Sequence, residues 1–150
     1  MRINGAVPEL SGPASMTPTV SILIANYNGA QVLTDCIDSI LVQQDGIKLE
    51  IFIHDDASSD ESLVMLRERY PTERFPFIHV IESHENVGFC IGNNRMAAQA
   101  RGDYLLLLNN DAALAPDALR TLLNAAQTQT PQGILTLPQL DWETGALVDR

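Results

Sequence analysis

Scarcity narrows the reading before any motif does. The 150 residues contain two cysteines, Cys36 and Cys90, with no CxxC pair and no histidine in register. Both fall inside helical patterns, so they read as buried thiols of a reducing compartment, the cytoplasm, rather than as a disulfide frame or zinc site. Lysine occurs once, at Lys48. With 9 basic against 19 acidic side chains the net charge is −10, which argues against a nucleic-acid partner, since that would need a basic stripe. An anionic ligand stays admissible where a cation and backbone N–H groups offset the field. No apolar run approaches the ~20 residues that span a bilayer. Residues 1–19, rich in Pro, Gly and Ser, lack the charged start and apolar core of a secretion signal and are expected to be a flexible leader.

What is present is an ordinary globular composition, 45% hydrophobic and 19% charged, in a chain one domain long. That length is short for an enzyme with separate donor and acceptor lobes. Val20 to Ala25 is a β-rich apolar run closed by Asn26-Tyr27-Asn28-Gly29, which predicts strand, turn and helix start. Val32, Leu33, Cys36, Ile37, Ile40 and Leu41 form one helical stripe, stopped at Asp45-Gly46. Leu49 to Ile53 is a second strand, ending in His54-Asp55-Asp56. Ser58 with Glu61 reads as a capping box, opening a helix through Leu63, Leu66 and Tyr70 to Pro71. Phe77 to Ile81 is a third strand, followed by a small-residue helix from Phe89 to Ala100 with Gly102 at its C′ position.

Leu105 to Leu108 lacks polar alternation, so it suits a central strand covered on both faces, although a short buried helix shares the pattern. Pro116 opens a last helix with Leu119, Leu122 and Leu123, ended at Pro131-Gln132-Gly133. Ile134 to Leu137 reads as a further strand, and Leu140 to Leu147 as a hairpin turning at Gly145. Strand and helix alternating with short links predict an α/β fold: a mostly parallel sheet flanked by helices on both faces.

Three polar clusters, Asn26-Tyr27-Asn28, Asp55-Asp56 and Asn109-Asn110-Asp111, follow the carboxyl ends of predicted strands, so one sheet would gather them along a single edge. Each alone is ordinary turn chemistry. Together they describe a site. Asp111 with the amide oxygens of Asn109 or Asn110 offers hard ligands suited to Mg²⁺ or Mn²⁺, with positions left for phosphate oxygens. Asp56 could accept from a base N–H. Tyr27 stays open between a stacking face for a base and a half-buried packing ring, and Asp55 between a ligand contact and an Asx-type turn. Gly88 and Gly92 would let backbone approach a ligand, or a helix approach the sheet. His54, His79 and His84 show no metal-ligand spacing; His79 reads as structural, and His54 as a partner for a neighbouring aspartate.

The order and spacing of Val-Ser-Ile-Leu-Ile-Ala-Asn-Tyr-Asn at 20 to 28, Asp-Asp-Ala-Ser-Ser-Asp at 55 to 60, Asn-Val-Gly-Phe at 86 to 89 with Gly-Asn-Asn-Arg at 92 to 95, and Gly-Asp-Tyr-Leu-Leu-Leu-Leu-Asn-Asn-Asp at 102 to 111 resemble the N-terminal half of family 2 inverting glycosyltransferases with the GT-A, Rossmann-like fold, particularly the rhamnosyltransferase-like branch. The resemblance implies that residues 20–150 are a donor-binding half and that the acceptor half is absent. It places Ala25 and Tyr27 against the nucleobase, Asp56 in hydrogen bond to it, Asn94 near the donor, and Asn109-Asn110-Asp111 at the D-x-D position, with Asp111 as metal ligand. Asn109 stands where the first aspartate is usual, which implies weaker metal binding, and Met96 where glycine is common. The implied partners are a nucleotide-diphosphate sugar (UDP- or dTDP-linked) and a glycan or lipid-linked acceptor. Peripheral contact with the inner face of the membrane through regions beyond this chain stays open. The family's catalytic base would lie past Arg150, so no catalytic residue is assigned; Asp141, Glu143 and Asp149, read as part of the terminal hairpin, are poor candidates. The competing reading is a non-catalytic sugar-nucleotide-binding or assembly module. A receiver domain would need a lysine at a late strand end, which Lys48 does not provide, and a nucleotidyltransferase a basic, Gly-rich loop after the first strand.

Overall fold

A computed structural model describes residues 19–44, 46–128 and 133–148. The leader over residues 1–18, the expected helix stops at Asp45 and at Pro131-Gln132, and Asp149 lie outside the described residues. Strands β1 (Val20–Asn26), β2 (Leu49–Asp55), β3 (Ile78–Glu82) and β4 (Tyr104–Asn109) alternate with helices α1 (Leu33–Leu41), α2 (Ser62–Arg69), α3 (Phe89–Ala97) and α4 (Ala118–Thr128). The strands form one all-parallel sheet in the order β3-β2-β1-β4. The expected α/β architecture, parallel sheet with helices on both faces, is what the chain adopts.

Pleating sorts the side chains. Val20, Ile22 and Ile24 of β1 and Leu49, Ile51 and Ile53 of β2 point to one face, where they pack with Leu33, Cys36, Ile37 and Ile40 of α1, Leu66 of α2 and Leu119 of α4. Leu23 and Phe52 point to the other, where α3 alone covers them through Met96 and Ala97. Met96 is fully buried, so its side chain fills the space between α3 and the sheet. His79 lies on Phe52 with ring centroids 4.9 Å apart, a packing role for that histidine.

The leucine run departs from expectation. β4 is an edge strand among the described residues, and its burial alternates, with Leu105 49% and Leu107 54% exposed. Leu106 and Leu108 join the helix-covered core, whereas α3 lies over β1 and β2 and stops short of β4. Uniform hydrophobicity marks both faces as apolar without saying that both are covered.

Local details are also corrected. Ser58 and Glu61 form no capping box: α2 starts at Ser62, whose N–H donates to Asp60 Oδ1 at 3.0 Å, while Ser58 is drawn toward β1. α3 ends at Ala97, short of Ala100, and Gly102 is needed for another reason. A Cβ there would lie 2.5 Å from Ser21 Oγ and 2.6 Å from Ser21 N. Ser21 Oγ instead accepts from Gly102 N–H at 2.8 Å and donates to the buried Glu50 carboxylate at 2.6 Å, pinning the α3–β4 link to the amino end of the sheet. Asp117 adopts φ 63°, so α4 begins after it, at Ala118, rather than at Pro116. Residues 134–137 form no strand, and Ile134 is 95% exposed. The hairpin does form, through the Leu140–Leu147 bridge and a turn holding Gly145 at φ 66°. Cys36 is buried as expected. Cys90 is exposed, because position 90 in the first turn of α3 faces away from the sheet.

Candidate functional site

Parallel register decides where the polar clusters go. Asn26 pairs with Asp55, and Ala25 with both His54 and Asn109, so the loops after β1, β2 and β4 leave the sheet side by side at its carboxyl edge. Tyr27, Asp56 and Asp111 thus share one rim. Tyr27, Asn109 and Asp111 are exposed along it, while cavities of about 530 Å³ beside β4 and α4, and about 630 Å³ beside β3, lie elsewhere.

The two adjacent aspartates do opposite work. Asp55 is fully buried; its Oδ1 accepts Ser58 N–H at 3.0 Å, closing an Asx-type turn, and its Oδ2 accepts Asn26 Nδ2 at 2.9 Å. Asp56 turns toward the loop ahead of α3 and accepts Val87 N–H at 2.8 Å and Gly88 N–H at 2.7 Å, one on each oxygen. Each of those oxygens keeps a lone pair for a further donor. Gly88, at φ 82°, turns the chain into α3 in a conformation that favours glycine. His54 is fully buried behind Asp56, 4.0 Å from it, with Nδ1 unpartnered and Nε2 3.4 Å from Arg95. The expected pairing of His54 with a neighbouring aspartate takes the form of this 4.0 Å contact with Asp56, too long for a hydrogen bond. Gly92 matters here, since a Cβ would come within 3.1 Å of that ring.

Of the residues singled out from the sequence, Tyr27 is 54% exposed and so leaves a ring face accessible, while Ala25 is half-buried against α3. Asn94 is exposed on α3, and no hydrogen bond ties its side chain to the rim among the described residues. Asn109 and Asp111 are exposed at the end of β4. Asn110 Nδ2 donates to Asn26 Oδ1 at 2.9 Å. Beneath the loop, the Cys36 thiol donates to Asn109 O at 3.4 Å, and its pKa is pushed up to about 12 by burial and then by the Asp111 charge. Sequence reasoning placed Asn26 and Asn28 in a polar cluster without an individual role, and read Ser58 as a helix cap. Asn28 adopts φ 51°; its Oδ1 accepts Ser59 N–H at 2.8 Å, and its own N–H donates to Ser58 Oγ at 2.9 Å. An asparagine flanked by a turn glycine was the available signal.

A divalent cation fits the rim in part. Asp111 supplies one carboxylate and Asn109 an exposed amide oxygen, hard donors that suit Mg²⁺ or Mn²⁺. Among the described residues no group of three or more His, Cys, Asp or Glu is gathered for a metal, so ligand oxygens would have to complete the shell.

An open parallel sheet with its polar loops at the carboxyl edge has the geometry of a nucleotide-binding α/β protein. Residues 21–139 match the family model described as glycosyl transferase family 2, and the chain belongs to that family. It is 30% identical over 126 residues to an N-acetylglucosaminyltransferase of Rhizobium leguminosarum bv. phaseoli, covering 81% of this chain and 29% of that protein. It is 34% identical over 114 residues to the chondroitin synthase of Escherichia coli, covering 76% and 16%. The chain therefore spans less than a third of the length of these relatives. Among solved structures, the mannosyltransferase PcManGT from Pyrobaculum calidifontis, in complex with GDP-Man and Mn²⁺, superposes with TM-score 0.64 at 26% identity, over 71% of this chain and 32% of that one. Staphylococcus aureus TarS 1–349 superposes with TM-score 0.63 at 19% identity, over 73% and 32%, which supports the GT-A fold.

Proposed function

We propose that this chain provides the donor and metal site of an inverting glycosyltransferase, which moves a sugar from a nucleotide diphosphate to a hydroxyl of a glycan or lipid-linked acceptor. One observation carries the reading: the parallel register sets Tyr27, Asp56 and Asp111 on one rim. Family membership supports the reaction class, and the GDP-Man and Mn²⁺ of the mannosyltransferase support a nucleotide-sugar donor with a divalent metal. The motifs point to UDP or dTDP donors and the rhamnosyltransferase-like branch; that structural neighbour adds GDP to the set worth testing.

Each residue then has a task. The exposed face of Tyr27 stacks on the base, and Ala25 lies beside it. Asp56 accepts the base N–H on the lone pairs that Val87 and Gly88 leave, so base and loop share one carboxylate. Asn94 lies near the donor, and Asn109 and Asp111 face its diphosphate. A divalent cation held by Asp111 would offset charge on the departing diphosphate. The base that deprotonates the acceptor hydroxyl belongs to another part of the enzyme. Asp141 is unsuited, because hydrogen bonds from Thr144 hold its carboxyl below the usual range. Among the described residues no helix is long and apolar enough to cross a membrane. The reaction would take place in the cytoplasm, at the inner face of the membrane where the acceptor is lipid-linked.

Calorimetric titration with UDP, dTDP and GDP, with and without Mn²⁺, tests the site. Asp56→Ala should abolish nucleotide binding, and Asp111→Ala should abolish only the Mn²⁺ dependence. A folded wild-type chain that binds none of the three rejects the proposal.

A further inference from the structure

We propose that Asn26 is a positioning residue for the metal loop, and that Asn110 acts through Asn26 rather than by touching the donor. This deepens, and rests on, the donor-site reading above. Asn26 is 1% exposed at the end of β1, between the ends of β2 and β4. Asp55 is acceptor-only when ionised, so Asn26 must turn Nδ2 toward it, where the bond is 2.9 Å. That fixes Oδ1 on the opposite side, facing β4. Asn110 must then present its own Nδ2, which donates at 2.9 Å. A carboxylate on β2 thus dictates the orientation of a side chain next to Asp111, two hydrogen bonds away. The amide hydrogens of Asn110 are directed inward, and its Oδ1 has no partner among the described residues.

The bracket has no room to spare. Gly29 lies against it, and a Cβ there would collide with both Asn26 Oδ1 and Asn110 Nδ2. The turn after β2 is tied to the same amide, since Asn26 Nδ2 also reaches Ser58 Oγ at 3.4 Å, and Ser58 Oγ accepts Asn28 N–H. One buried asparagine therefore joins the loop that carries Tyr27, the turn that follows Asp56 and the loop that carries Asp111.

Asn110→Asp separates positioning from charge. A second carboxylate beside Asp111 should tighten Mn²⁺ if residue 110 serves by its charge or as a ligand. In the bracket it sets acceptor against acceptor at Asn26 Oδ1, so Mn²⁺-assisted nucleotide affinity should fall about fivefold, as in Asn110→Ala. Metal-free nucleotide affinity should stay within about twofold. In a double-mutant cycle, Asn26→Ala combined with Asn110→Ala should be no worse than the weaker-binding single variant, because both remove one interaction. Backbone ¹⁵N relaxation supplies a readout that needs no nucleotide: residues 109–111 should lose order in Asn110→Ala, Asn110→Asp and Gly29→Ala alike. If Asn26→Ala does not fold, the Asn110 and Gly29 variants carry the test. Tighter Mn²⁺ binding by Asn110→Asp, losses that multiply in the cycle, or unchanged order at 109–111 would each overturn the inference. A wild type that binds no nucleotide removes the donor-site reading alone, and relaxation then decides whether Asn26 positions the loop.

Discussion

Glu50 shows how much one buried carboxylate can organise. Burial alone would raise its pKa, but hydrogen bonds from Ser21 Oγ and the Arg101 backbone, with the Arg101 charge, outweigh that and hold it below the usual carboxylate range. A carboxyl whose pKa is lowered in the folded state adds stability above its unfolded pKa, and that contribution is lost as pH falls through the folded value. Unfolding midpoints in urea should therefore decline as pH drops below about 4.5, the ordinary value for glutamate, and Glu50→Gln should flatten that acid limb while lowering the midpoint at neutral pH. A variant with the same acid slope as the wild type would show that other carboxylates dominate. Residue-scale roles were only half legible in the sequence. Adjacent Asp55 and Asp56 announce a polar strand end, but which one turns inward depends on pleat and register, and a string of letters gives no distance from Asn26 to Asn110.

At the scale of elements, β4 has a well-anchored side and a bare one. Leu106 packs against the helix-covered core, whereas Leu107 lies on the face that α3 fails to reach. Leu106→Ala should cost about 2 kcal/mol, the low end of the range for buried leucines because Leu106 is only partly buried, and Leu107→Ser should stay within about 0.5 kcal/mol, as exposed positions do. Chemical denaturation compares the two directly. Equal losses would mean that something covers both faces in solution. Strand and helix order was readable because apolar periodicity and Gly/Pro punctuation are local signals: among the described residues β1 to β4 and α1 to α4 occur in the expected order, although the further strand expected over 134–137 does not form. Coverage is not local. The same four leucines would read alike in a central strand and at an edge, and Ser58 resembles a helix cap until its hydroxyl is seen to serve Asn28.

For the molecule as a whole, the sheet separates two unlike sides. One carries α1, α2 and α4 over a continuous core, and the other carries α3 over a smaller one. The gathering of Tyr27, Asp56 and Asp111 was foreseeable from strand order, because parallel strands must end together. The exposure of Tyr27 and Asp111 was not, since it depends on what lies around the sheet.

That division also sorts the thiols. Cys36 is sealed beneath the loop after β4 with its pKa pushed up to about 12, while Cys90 stands in water on α3, two residues past the Gly88 N–H held by Asp56. Thiolate is the reacting species, so a disulfide-exchange dye at pH 8 should modify one equivalent quickly and the second only after denaturant is added. Two fast equivalents would place Cys36 at the surface. The chain thus offers a unique labelling point without mutagenesis: a fluorophore on Cys90 would sit beside the segment that Asp56 grips, and its emission would make the Asp56 end of the rim visible in solution.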